Sequence, residues 1–164
     1  MCRRFYNFFS ILMMRRTNCQ SKNIVITKES VTKTYWHRET FERELMNLQM
    51  LACYDFVPHI IDIDCNTLSI IMTNCGIALD QVNLKYYDTE EIIRQLQLID
   101  KILEIQGIYH NDYKLSNITI TYRTVHLIDF GHASKGSPTR INWFTKSKSD
   151  IKTVIQKIRL LVTK

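Results

Sequence analysis

Between residues 21 and 53 the spacing of apolar and β-branched side chains changes period, and a chain that does this within so short a stretch has to pack a β-hairpin against a helix. Asn23-Ile24-Val25-Ile26-Thr27 and Val31-Thr32-Lys33-Thr34-Tyr35 stand on either side of Lys28-Glu29-Ser30, which reads as two strands joined by a three-residue turn. From Glu39 to Cys53 the apolar residues Phe41, Leu45, Leu48 and Leu51 recur at helical spacing, so their side chains form one stripe. Residues 60–63 and 67–72 read as two further strands, introduced by Pro58 and closed by Asn74-Cys75-Gly76.

The second half has a different rhythm. Asp88 and Glu91 are spaced as a capping box, Ile92, Leu96, Ile99 and Leu103 make one apolar face, and Gly107 is placed to stop the helix. Residues 118–121 and 125–128 flank Tyr122-Arg123-Thr124 as a tight hairpin, and Ile151, Val154, Ile155, Ile158 and Leu161 repeat at helical spacing within 149–162. Strands with one helix first and mainly helix afterwards predict an α+β chain of two lobes joined near residues 73–76. At 164 residues, 45% of them hydrophobic, there is room for one domain and not for two. With 4 Gly and 2 Pro there is no low-complexity linker.

A formal net charge of +6 suits an acidic or nucleic-acid-bound partner. The five cysteines are odd in number, scattered and without a C-x-x-C pair, which argues against a disulfide framework or a zinc site and for a reducing intracellular compartment, cytoplasmic or nuclear. The start of the chain, Cys2-Arg3-Arg4 followed by an apolar run from Phe5 to Met14, has the look of a signal peptide. That run is too short to span a bilayer and leads into Arg15-Arg16 instead of a cleavage site, so it reads as a first strand or an edge packing segment. No other stretch is apolar enough to be a transmembrane segment.

The chemistry is concentrated in His110-Asn111-Asp112-Tyr113-Lys114-Leu115-Ser116-Asn117 and Asp129-Phe130-Gly131. Phosphoryl transfer needs a carboxylate to orient or deprotonate the attacking hydroxyl, a cation to offset charge on the moving phosphoryl, and oxygen ligands for magnesium. Asp112, Lys114, Asn117 and Asp129 supply that set. The first three share one tight loop after a helix, and Asp129 follows a hairpin whose open end brings it back toward Asn117.

These motifs resemble the H-R-D-L-K-x-x-N and D-F-G signatures of the protein-kinase family. The resemblance implies a two-lobed kinase-like fold within a single domain, 1–164: a small β-rich N-lobe with one large helix (about 1–72), a hinge (about 73–76) and a truncated, mainly helical C-lobe (about 77–164). It implies ATP and Mg²⁺ as cofactors, with Asp112 as catalytic base, Lys114 as the phosphate-stabilising lysine typical of Ser/Thr-directed kinases, and Asn117 and Asp129 as metal ligands. His110 and Phe130 would pack the two loops together. On the nucleotide side it implies Lys33 at the phosphates, paired with Glu44, with Lys28 and Glu42 as the alternatives. Met72 would guard the back of the adenine pocket, and Asn74 would lie in the hinge.

The chain also departs from the family. No G-x-G-x-x-G precedes Lys33, leaving Arg15, Arg16 or Lys22 to cover phosphates by charge, and Asn111 replaces the arginine that in many members binds a phosphorylated activation loop. Ser149-Asp150-Ile151 resembles the start of the family's central helix, whose aspartate braces the catalytic loop. This short plan is similar to the minimal kinases of the KEOPS-complex and RIO types and to small kinase-like proteins of large DNA viruses; a viral origin would place it in a host cytoplasm. The first functional reading is an Mg·ATP-dependent Ser/Thr protein kinase acting on an unknown protein substrate. The others are a pseudokinase that binds a regulatory partner, and a small-molecule phosphotransferase of the aminoglycoside or choline kinase kind, against which Lys114 argues.

Overall fold

The β-branched runs form strands β1 (Ser21–Ile26) and β2 (Ser30–Tyr35), closed by hydrogen bonds between Thr27 and Ser30. The computed structural model describes residues 21–136 and 150–162. The expected first strand, with Arg15 and Arg16, lies outside them. Strands β3 (Ile60–Asp64) and β4 (Ser69–Thr73) complete an antiparallel sheet in the order β1-β2-β4-β3. Strand β2 is therefore internal: Lys33 faces Ile24 on one side and Ile70 on the other. Its side chain leaves the same face as those of Val31 and Tyr35, because strand side chains alternate.

Helix α1 (Arg38–Met50) covers that face, burying Phe41, Glu44, Asn47 and Leu48. The Phe41 ring meets Tyr35 edge-on at 5.7 Å. The helix ends before the expected Cys53, yet Leu51, at its C-cap, is still fully buried.

After the sheet the chain passes through Gly76 into the short strand β5 (Ile77–Ala78). Gly76 has φ +87°, and a Cβ placed there would lie 2.3 Å from the Ile120 carbonyl oxygen. Only glycine meets both demands. Gly76→Ala is expected to lower stability by about 1–3 kcal/mol from the backbone alone, read as a lower urea midpoint at unchanged slope.

Helix α2 (Thr89–Ile105) begins at Asp88, whose carboxylate accepts from Glu91 N–H at 3.1 Å. The capping box is one-sided, because the Glu91 carboxylate turns to Arg94 at 2.6 and 2.7 Å. Asp88→Ala is expected to cost about 1 kcal/mol, measured as a lower thermal midpoint. Gly107 follows the helix with φ +64°, as its stop position requires.

Two small sheets sit against α2. Strand β6 (Ile108–Tyr109) leads into the loop of residues 110–117, β7 (Ile118–Thr121) and β8 (Thr124–Leu127) form a hairpin beside β5, and β9 (Ser134–Lys135) pairs back onto β6. Thr121 faces Thr124, so the hairpin turn has two residues, Tyr122 and Arg123, one fewer than the sequence suggests. Gln95 of α2 grips it, donating to the Arg123 carbonyl at 2.8 Å and accepting from Val125 N–H at 2.9 Å. The last helix, α3 (Ile151–Val162), packs on α2 through Ile151, Val154, Ile155 and Ile158.

One continuous core runs from Phe41 and Ile70 through Phe130 and Leu127 to Leu96 and Ile158. The architecture is α+β, with the sheet and α1 on one side of residues 73–76 and α2, α3 and the short strands after them. No helix among the described residues is long and apolar enough to cross a membrane.

Candidate active site

Lys33 lies between two carboxylates. Its ammonium is 2.7 Å from Glu44 Oε2 and 2.6 Å from Asp129 Oδ1. Glu44 is reached because α1 turns the residue one turn before Leu48 onto the sheet, and its side chain is only 1% exposed. Asp129 is reached because the chain leaves β8 and reverses at Asp129 itself, with φ +65°. One cation facing two carboxylates leaves a negative charge over, and burial decides where it is least comfortable. Burial pushes Glu44 above the ordinary carboxylate range, against the pull of Lys33. Burial acts on Asp129 too, but the Lys33 charge and hydrogen bond outweigh it and hold its pKa at about 2. Burial lowers Lys33, and the two carboxylates more than reverse this. Lys33 and Asp129 are thus both charged at neutral pH.

Tyr35, two residues beyond Lys33 on the same face, puts its ring 5.3 Å from the ammonium. Its hydroxyl is buried beside the Glu44 carboxylate. The period of two that aligns Lys33 and Val31 also points to Tyr35, which the sequence reading passed over.

The loop of residues 110–117 is built around His110. Its Nε2 is 3.0 Å from the Ile128 carbonyl, which can only accept, so Nε2 carries the proton and Nδ1 receives Asp112 N–H at 3.4 Å. Burial lowers the pKa of His110 and keeps it neutral, as this arrangement requires. The ring packs edge-on against Phe130 at 4.8 Å. Tyr113 ties the loop to α2 by donating to Asp100 at 2.8 Å.

With the loop fixed, Asp112 Oδ2 accepts from Lys114 Nζ at 2.6 Å and from Asn117 Nδ2 at 2.8 Å. Asn117 also donates to the Asp112 carbonyl at 3.0 Å, which leaves its Oδ1 as the side-chain acceptor. The ladder of the β7–β8 hairpin continues one step, Ile128 N–H to Asn117 O at 2.9 Å, so Asn117 and Asp129 flank the same open end.

Other candidates are placed differently. Lys28 is exposed in the β1–β2 turn, and Glu42 is exposed with Arg38 at 3.5 Å. Neither approaches the Lys33 group. Lys22 lies over the Trp36 ring at 5.5 Å. Met72 is buried in β4, where it pairs with Val31. Asn74 is a strut to the β1–β2 turn: its N–H donates to the Glu29 carbonyl at 3.0 Å and its side chain to the Thr27 carbonyl at 2.7 Å. Asp150 accepts from Thr153 N–H at 2.8 Å and caps its own helix.

Among the described residues no three His, Cys, Asp or Glu side chains gather as a metal cage. Magnesium does not need one, since it binds through one or two protein oxygens completed by phosphates and water. An ionised Asp129 carboxylate and the Asn117 amide oxygen, at the same open end of the hairpin, are oxygen donors of that kind.

No curated protein matches the chain. The RIO domain, a member of the protein kinase-like superfamily, matches residues 6–162. With the loop of residues 110–117, the Lys33–Glu44 pair and Asp129 all inside that match, the chain belongs to the RIO-domain family.

Proposed function

We propose that the protein is an Mg·ATP-dependent kinase that moves the γ-phosphoryl of ATP to a serine or threonine hydroxyl of a protein. The observation that carries this reading is the Asp112 carboxylate, its side chain 17% exposed and held between Lys114 and Asn117. A binding module has no need of a carboxylate oriented in this way. In the reaction Asp112 orients the attacking hydroxyl and takes its proton as oxygen bonds to the γ-phosphorus and the bond to ADP breaks. Lys114, 48% exposed, is free to swing toward the charge on the moving phosphoryl. Lys33 has a third N–H beyond those on Glu44 and Asp129, and this one would meet the ATP phosphates. Asp129 and Asn117 Oδ1 would hold magnesium, which neutralises charge on the phosphate oxygens when bound. The same reading divides the chain into lobes of about 1–72 and 77–164 around a hinge in which Met72 backs the adenine and Asn74 stiffens the strand exit. The net charge of +6 favours an acidic or nucleic-acid-bound partner.

The test is transfer from labelled Mg·ATP to generic protein substrates, with Asp129→Ala as control. Transfer by the parent that disappears in the variant is expected. Equal transfer by both would refute the reading, and ATP binding without transfer would mark a pseudokinase.

A further inference from the structure

Three main-chain carbonyls around Asp129 are each held by a different side chain. His110 donates to Ile128 O at 3.0 Å, Arg43 Nη1 to Gly131 O at 3.2 Å, and Asn111 Nδ2 to His132 O at 3.0 Å. The Asn111 amide also donates to Ser134 Oγ at 2.9 Å. Asp129 sits among these contacts at φ +65°, a conformation that a residue other than glycine keeps only when its surroundings over-determine it. Asn111 is itself at φ +62°, which asparagine tolerates better than most residues. It therefore unites two properties at one position: a backbone that turns the loop and an amide that reaches the segment after Gly131. Arg43 reaches the same segment from α1, and Glu44 of the same helix reaches Asp129 through Lys33.

We propose that Arg43 and Asn111 are positioning residues that hold the Asp129 loop in its observed shape through hydrogen bonds to its main-chain carbonyls. The importance of that shape for transfer rests on the reading of Asp129 as a magnesium ligand; the brace itself does not.

The test is amide hydrogen exchange on the nucleotide-free full chain, comparing the parent with Asn111→Gly and Arg43→Gln. Asn111→Gly keeps the left-handed backbone accessible and removes the amide. Arg43→Gln removes the guanidinium from a side chain that is 36% exposed. The probe is Ala133 N–H, which donates to the Phe130 carbonyl at 3.0 Å inside the loop, with Ile99 N–H in α2 as reference. Exchange at Ala133 about 10-fold faster in the variants, at an unchanged Ile99 rate, is expected from local opening. Equal Ala133 rates in the parent and both variants would overturn the proposal.

A second readout is the magnesium concentration for half-maximal transfer, expected to rise about 10-fold in Asn111→Gly, as loss of a residue behind a metal ligand does. Lower turnover at an unchanged magnesium requirement would overturn the positioning role. A parent that transfers no phosphate would refute the kinase reading, and the exchange comparison would still decide the brace.

Discussion

Asp112→Ala is expected to lower the turnover number for transfer from Mg·ATP by about 10²–10⁴-fold, the usual contribution of a positioned general base. The loop should keep its shape, because Asn117 still donates to the main-chain carbonyl of residue 112 and Tyr113 still holds Asp100. ATP affinity should change little, since Lys33, Glu44 and Asp129 are untouched. Measuring turnover and nucleotide affinity separately distinguishes this from a general loss of structure. Asp112→Asn sharpens the comparison: the amide keeps the size of the side chain but cannot take a proton, so it should be nearly as slow as alanine. Turnover within a few-fold of the parent in both variants would remove Asp112 from the role of base.

Lys33→Met should have the largest effect on stability, because it leaves Glu44 buried with no cation beside it. Removing one partner of a buried ion pair costs about 3–5 kcal/mol, which for a chain of this size lowers the thermal midpoint by roughly 2–4 °C per kcal/mol. Asp129 suffers less, since its side chain is 31% exposed and water can reach it. The pH dependence has a definite sign. Glu44 already has a raised pKa in the folded protein, and without Lys33 it rises further, so the folded variant binds a proton that the unfolded chain releases. The deficit should therefore shrink as pH falls from about 8 toward about 5, and grow as pH rises. Lys33→Met combined with Glu44→Leu should recover much of the stability and none of the activity, as apolar replacement of a buried pair allows. A flat pH profile for the single variant would mean that Glu44 is solvated after all.

Much of this organisation is legible in the residues alone. Strand and helix periods locate β1, β2, α1, α2 and α3 to within a few residues, and the same periods put Lys33 and Glu44 on facing sides of β2 and α1. The spacing of Asp112, Lys114 and Asn117 within one loop is short enough for local geometry to bring them together. The one-sided capping box was not legible, because Glu91 had two partners within its reach and Arg94 offered the charged one. Nor does the sequence show that the Asn74 amide donates to the Thr27 carbonyl, 47 positions earlier.

The contacts that define the Asp129 loop were hidden for the same reason. Arg43 with Glu39 at i,i+4 is indistinguishable in sequence from an exposed helical ion pair, and its bond to Gly131 spans 88 positions. Lys33 and Asp129 are separated by 96 positions. Periodicity reports which face of an element is apolar, because burial of that face is a local demand repeated along the chain. It carries no information on which donor of one element meets which carbonyl of another. Those meetings depend on where the elements come to rest when the common core of Phe41, Ile70, Phe130 and Leu127 closes, and the hydrogen bonds around Asp129 are made only in that packing.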